Sequence, residues 1–67
     1  MMNIQLNGEA RQIAPDTTVL GLLESLGYVG KRVAVEKNGE IVPKSQHAGT
    51  VLKQNDKLEI VVAVGGG

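Results

Sequence analysis

A chain of 67 residues with one histidine and no cysteine has room for one core and little for an enclosed active site, because a domain of this size buries only about 60% of the surface its unfolded form exposes. Disulfide staples and thiolate metal sites are excluded, so packed aliphatics must carry the stability, with Tyr28 as the sole aromatic residue. Seven basic and seven acidic side chains cancel, which leaves no long-range field to gather phosphate backbones or anionic lipid and makes nucleic acid and membrane poor expectations as partners.

Ile4 and Leu6 alternate with Asn3, Gln5 and Asn7, the period of a strand with one wet face. Asn7-Gly8 is the preferred pair for a two-residue type I′ turn, since both central residues need positive φ, and it predicts a return strand over residues 9–14. Pro15 and Asp16 interrupt pairing. Thr17 is then expected to cap a helix in which Val19, Leu22, Leu23 and Leu26 fall on one face, with Gly27 as its left-handed stop. Val33 and Val35 alternate with Ala34 and Glu36 in a third strand, and Asn38-Gly39 repeats the hairpin signal. Pro43 cannot donate a ladder hydrogen bond and ends a short fourth strand over 40–42. A helical turn is expected within 45–52, with Ala48, Val51 and Leu52 facing inward. After the polar turn Gln54, Asn55, Asp56 comes a last strand that buries Leu58, Ile60 and Val62.

A hairpin, a helix, a second short hairpin, a one-turn connection and a closing strand make the order of a β-grasp. This is an α+β, ubiquitin-like fold with a mixed sheet of four to five strands, the first and last parallel and adjacent, packed on one main helix. Residues 1–64 are read as that domain and 65–67 as a flexible tail. Met1 and Met2 lead at once into the alternating segment, without the charged start and apolar run of a secretory signal, so the expected compartment is the cytoplasm.

The last strand runs directly into Gly65, Gly66 and Gly67. Glycine has no side chain to block a narrow site, and its permissive backbone can be threaded by another protein. A carboxylate becomes an acyl donor at neutral pH only after ATP chemistry supplies a leaving group, and a glycyl centre cannot be epimerised during that activation. Taken alone, such a tail is more often a frayed end; the fold order favours a working group at Gly67, with Gly66 as the neighbour that must pass through a channel and Gly65 as a spacer. If Leu58, Ile60 and Val62 face the core, Val61 and Ala63 face outward with Ala34 beside them, and these three are the expected partner-docking surface. His47 has no second histidine or cysteine to share a metal and is read as a surface or half-buried packing residue. Asp56 and the other charged residues are expected on solvated positions. No phosphate-binding loop of the Walker type, nucleophilic cysteine or catalytic carboxylate pair occurs, so no bound cofactor or metal is expected and ATP must be held elsewhere.

The stretch from Val33 through Asn38, Gly39 and Pro43, then Thr50-Val51-Leu52 and the run from Asp56 to Gly67, resemble the ubiquitin-like sulfur carriers, most closely those of thiamine biosynthesis, the ThiS family. The resemblance spans the whole chain and departs at Asn55, where the family often has glycine and asparagine also accepts the left-handed conformation. It implies a protein co-substrate rather than an enzyme, a monomer when free. A ThiF-type adenylating enzyme would activate the Gly67 carboxylate with ATP. Sulfur from a cysteine desulfurase persulfide would convert it to a thiocarboxylate, and a ThiG-type thiazole synthase would accept that sulfur. A molybdopterin-synthase small subunit shares the ending but is usually longer and richer in aromatics. A ubiquitin-like modifier or binding module is the alternative outside the carrier class.

Overall fold

The two Asn-Gly pairs set the architecture locally. Asn7 and Gly8 have φ of 50° and 84°, Asn38 and Gly39 of 53° and 85°, so both hairpins turn through the left-handed region that type I′ geometry demands. The computed structural model describes residues 1–63. In it the first turn joins β1 (Met2–Leu6) to β2 (Glu9–Ile13) and the second joins β3 (Val33–Lys37) to β4 (Glu40–Ile41); α1 (Val19–Leu26) lies between the hairpins, and a 3₁₀ turn (Lys44–Gln46) precedes β5 (Lys57–Val62). The sheet order is β2-β1-β5-β3-β4. β5 sits in the middle, parallel to β1 and antiparallel to β3. This is the β-grasp arrangement expected from the order of elements, with five strands.

One face of the sheet packs against α1. Ile4, Ile13, Val35, Leu58 and Ile60 from the strands meet Val19, Leu22 and Leu23 from the helix, with Val42 and Leu52 closing the core. Each such side chain contributes about 1.5–3 kcal/mol when fully buried, so the aliphatic interior does the work that rings and disulfides do elsewhere. Leu26 and Val62, expected inside, are half-buried, because each lies at the end of its element.

The helix N-terminus departs from expectation at one residue. Thr18, not Thr17, is the N-cap, and its Oγ1 accepts the Gly21 N–H at 3.0 Å. The reason is tertiary. The first N–H groups of a helix have no intrahelical acceptor, and here Val19 N–H donates to Thr50 O at 2.9 Å and Leu20 N–H to His47 O at 3.0 Å. Thr17 serves the connection instead, its carbonyl accepting from Leu52 N–H at 2.8 Å and its hydroxyl donating to Ala14 O at 2.6 Å. At the other end Gly27, at φ 76°, donates to Glu24 O, and Tyr28 N–H donates to Leu23 O. That pair of bonds is a Schellman stop.

The segment after Pro43 corrects four further expectations. The turn covers only Lys44–Gln46. Of the residues expected to face inward, Leu52 is buried, whereas Ala48 and Val51 are exposed. His47 is buried in their place, and its ring Nε2–H donates to Val42 O at 3.0 Å. Packing selects the histidine because Val42 O lies inside the connection and needs a donor that a methyl group lacks. Asp56 is also buried rather than solvated, with its carboxylate accepting from Lys53 N–H at 2.8 Å and from Asn38 Nδ2 at 3.0 Å. Asn55 takes the left-handed conformation at φ 70°, as its place in the turn requires.

Candidate functional site

β5 is held from both sides by the asparagines that make the hairpin turns. The parallel ladder between β1 and β5 is short, pairing Gln5 with Lys57 and Leu6 with Leu58. Beyond it the Asn7 side chain replaces a strand: Oδ1 accepts the Ile60 N–H at 2.8 Å and Nδ2 donates to Ile60 O at 3.1 Å. On the β3 side, Asn38 Oδ1 accepts Lys57 N–H at 2.9 Å, and Asn38 N–H donates to Lys57 O at 2.8 Å. Left-handed backbone and bidentate amide come from the same residue type. That double use is not visible in the turn motif, since the Asn7–Ile60 bonds span 53 positions.

The outer face of the sheet is therefore presented on a fixed frame. Ala34 stands directly opposite Val61, and both are exposed, Val61 by 65%. Ala63 follows on the same strand line, exposed, with its N–H bonded to Arg32 O at 2.8 Å. The three sequence-predicted surface residues are thus brought together where β5 ends. Ile41 was not among them and is 63% exposed on the same face, opposite Glu36. Its signal was available in principle, because burial of Val42 places its neighbour on the other face. Between the Ala34–Val61 pair and Ile41 stands Glu36, directly opposite Glu59. Two like charges in register destabilise a sheet, and exposed Lys57 lies beside them on this face, so a charged patch interrupts the apolar one.

Gly65, Gly66 and Gly67, together with Val64 and the expected division between domain and tail, lie outside the described residues. Among the described residues, no group of three or more His, Asp or Glu side chains could hold a metal ion. Among the same described residues, no helix is long and apolar enough to cross a membrane.

Comparison with known proteins matches residues 4–67 to the model of the ThiS family. The sulfur carrier protein ThiS of Bacillus subtilis is 42% identical over 65 residues, covering 96% of this chain and 98% of that protein. A thiazole synthase of Paramagnetospirillum magneticum is 48% identical over 66 residues, which cover 98% of this chain. The chain spans only about a fifth of that synthase's length, 20%. The crystal structure of a thiamine biosynthesis protein (ThiS) from Geobacter metallireducens superposes with a TM-score of 0.83 at 32% identity, covering 98% of this chain and 100% of that one. With the β-grasp sheet, the aliphatic core and the match running through the terminal glycines, the chain belongs to the ThiS family of ubiquitin-like sulfur carriers.

Proposed function

We propose that this chain is a protein-bound sulfur donor for thiazole formation in thiamine biosynthesis, and that its working group is the carboxylate of Gly67. The observation that carries this reading is the family match, which extends to Gly67 and so includes the Gly65-Gly66-Gly67 run. A carboxylate oxygen of Gly67 attacks ATP on a ThiF-type adenylating enzyme and expels pyrophosphate. The outer sulfur of a persulfide supplied by a cysteine desulfurase displaces AMP to give an acyl disulfide, and a second thiol cleaves its S–S bond, leaving the thiocarboxylate and an ordinary disulfide. The resulting thiocarboxylate stays ionised at neutral pH and is a softer nucleophile than the carboxylate it replaces. It passes its sulfur to a thiazole synthase of the ThiG type and returns as a carboxylate. The segments of two thiazole synthases that align with 98% of this chain support such an enzyme as the acceptor.

In this cycle the chain is substrate, not enzyme, and binds no cofactor of its own. It works in the cytoplasm as a monomer between encounters. Ala34, Val61 and Ala63 dock both partners, with Ile41 at the margin of the same face. Exposed aliphatics beside the end of β5 support that role, since contiguous exposed apolar area often marks an interface.

The test removes Gly67 or replaces Gly66 by leucine. Glycine has no side chain to add to a core, so thermal unfolding is expected to stay unchanged, while sulfur loading is lost. A misplacement of about 1 Å at a reacting group can cost on the order of a hundredfold in rate. Intact-protein mass spectrometry after incubation with the adenylating enzyme, ATP and a sulfur source reads the thiocarboxylate directly. Loading of both variants at the wild-type rate would overturn the assignment of Gly67.

A further inference from the structure

On the helix side of the sheet, beside the end of β5, a groove of about 400 Å³ opens between the end of α1, the start of β3 and the turn after Pro43. Its floor is apolar: Leu20, Leu23, Tyr28 and Val33. Val29, 55% exposed, lies on its rim. Three cations, Lys31, Arg32 and Lys44, also line it, and none of the described lining residues carries a carboxylate. The acidic pair Glu36 and Glu59 stands on the opposite face of the sheet, beside Lys57. The groove adjoins the last of the described residues: Arg32, one of its walls, accepts the Ala63 N–H.

We propose that this groove receives an acidic, aliphatic segment of the partner enzyme that takes hold of the chain end, with a leucine-like side chain on the apolar floor and carboxylates against Lys31, Arg32 and Lys44. Charge complementarity selects the occupant. An apolar segment alone leaves three cations unmatched, and a free inorganic anion leaves the floor uncovered. The groove sets a positive rim beside the end of β5, so a partner matching it is oriented before the tail is threaded; rim charges of this kind act on association rate and register more than on final affinity. The proposal rests on the chain's being handled by a partner enzyme, but its test does not require sulfur chemistry.

The full-length chain labelled with ¹⁵N is titrated with the peptide acetyl-Leu-Glu-Leu-Asp-amide, with inorganic phosphate as a second arm. The peptide is expected to move the amides of Val29, Lys31, Arg32, Val33 and Ala48, with a midpoint that rises about tenfold or more from 20 to 200 mM salt. Ala48 lines the groove and is exposed, so Ala48→Trp fills it without touching the core, and the peptide shifts are expected to vanish in that variant. Arg32→Glu with Lys44→Glu is expected to weaken the peptide at least about tenfold and to slow association with the adenylating enzyme. Shifts centred on Ala34, Ile41 and Val61, persistence of binding in Ala48→Trp, or the same shifts with phosphate alone would overturn the proposal. Failure of sulfur loading in the wild-type chain would overturn the functional reading and leave the peptide result standing.

Discussion

Replacing Asn7 by glycine separates the two tasks that residue performs. Glycine keeps the positive φ of the turn but removes the amide that bonds both backbone groups of Ile60 at 2.8 and 3.1 Å. The last backbone bond of the β1–β5 ladder is Asn7 N–H to Leu58 O, so nothing on the β1 side takes over for Ile60. Two intramolecular hydrogen bonds at about 0.5–1.5 kcal/mol each amount to about 1–3 kcal/mol. Asn7 is itself exposed, and water can reach the vacated groups, which places the expected loss at about 1–2 kcal/mol. For a domain of this size that is a fall in Tm of roughly 5–15 °C. Denaturant titration measures the loss, and hydrogen exchange at the Ile60 amide locates it, with a rise of roughly tenfold for each 1.4 kcal/mol. Asn7→Asp controls for the chain entropy that glycine adds. It tolerates the turn and keeps one acceptor but sets a carboxylate oxygen against Ile60 O, so it too is destabilised. If Asn7→Gly stays within about 0.5 kcal/mol of wild type and Ile60 exchange does not change, Asn7 only shapes the turn and the clamp on β5 is refuted.

Three further outcomes follow from burial and contacts. Val61→Asp is expected to weaken capture by the adenylating enzyme in a pull-down while shifting stability by less than about 0.5 kcal/mol, as solvent-face changes do; unfolding instead would show that Val61 supports the core. Gly21 lies in the first turn of α1, and a Cβ there would meet Thr18 Oγ1 at 3.4 Å, an ordinary contact. Gly21→Ala is therefore expected to stabilise by about 0.5–1 kcal/mol through reduced backbone entropy, read as a higher Tm with sulfur loading unchanged. His47→Leu leaves Val42 O without its donor and is expected to cost about 1–3 kcal/mol, a loss that chemical denaturation would register and that a surface histidine would not show.

The strands, the helix face, both hairpins and the outward register of Ala34, Val61 and Ala63 were legible in the sequence because each depends on neighbours a few residues away: alternation, an apolar face at helical spacing, or two left-handed residues in a row. The chemistry proposed for the glycine tail is an expectation drawn from residue type, from the order of elements before it and from the family resemblance. Burial of polar groups was not legible in the sequence. Thr18 rather than Thr17 caps α1 because Thr50 O and His47 O already receive the helix's first donors, and those acceptors arrive from nearly 30 positions away (Leu20 N–H to His47 O spans 27). His47 turns inward because Val42 O would otherwise be unpaired inside the fold, and Asp56 because its carboxylate also takes the Asn38 Nδ2 donor, 18 positions away. An unmatched backbone group exists only once the chain has closed around it, so its partner cannot be read from spacing. The same holds for Asn7 on Ile60 and for the cationic groove: Lys31, Arg32 and Lys44 line one groove only when α1, β3 and the turn after Pro43 are packed together.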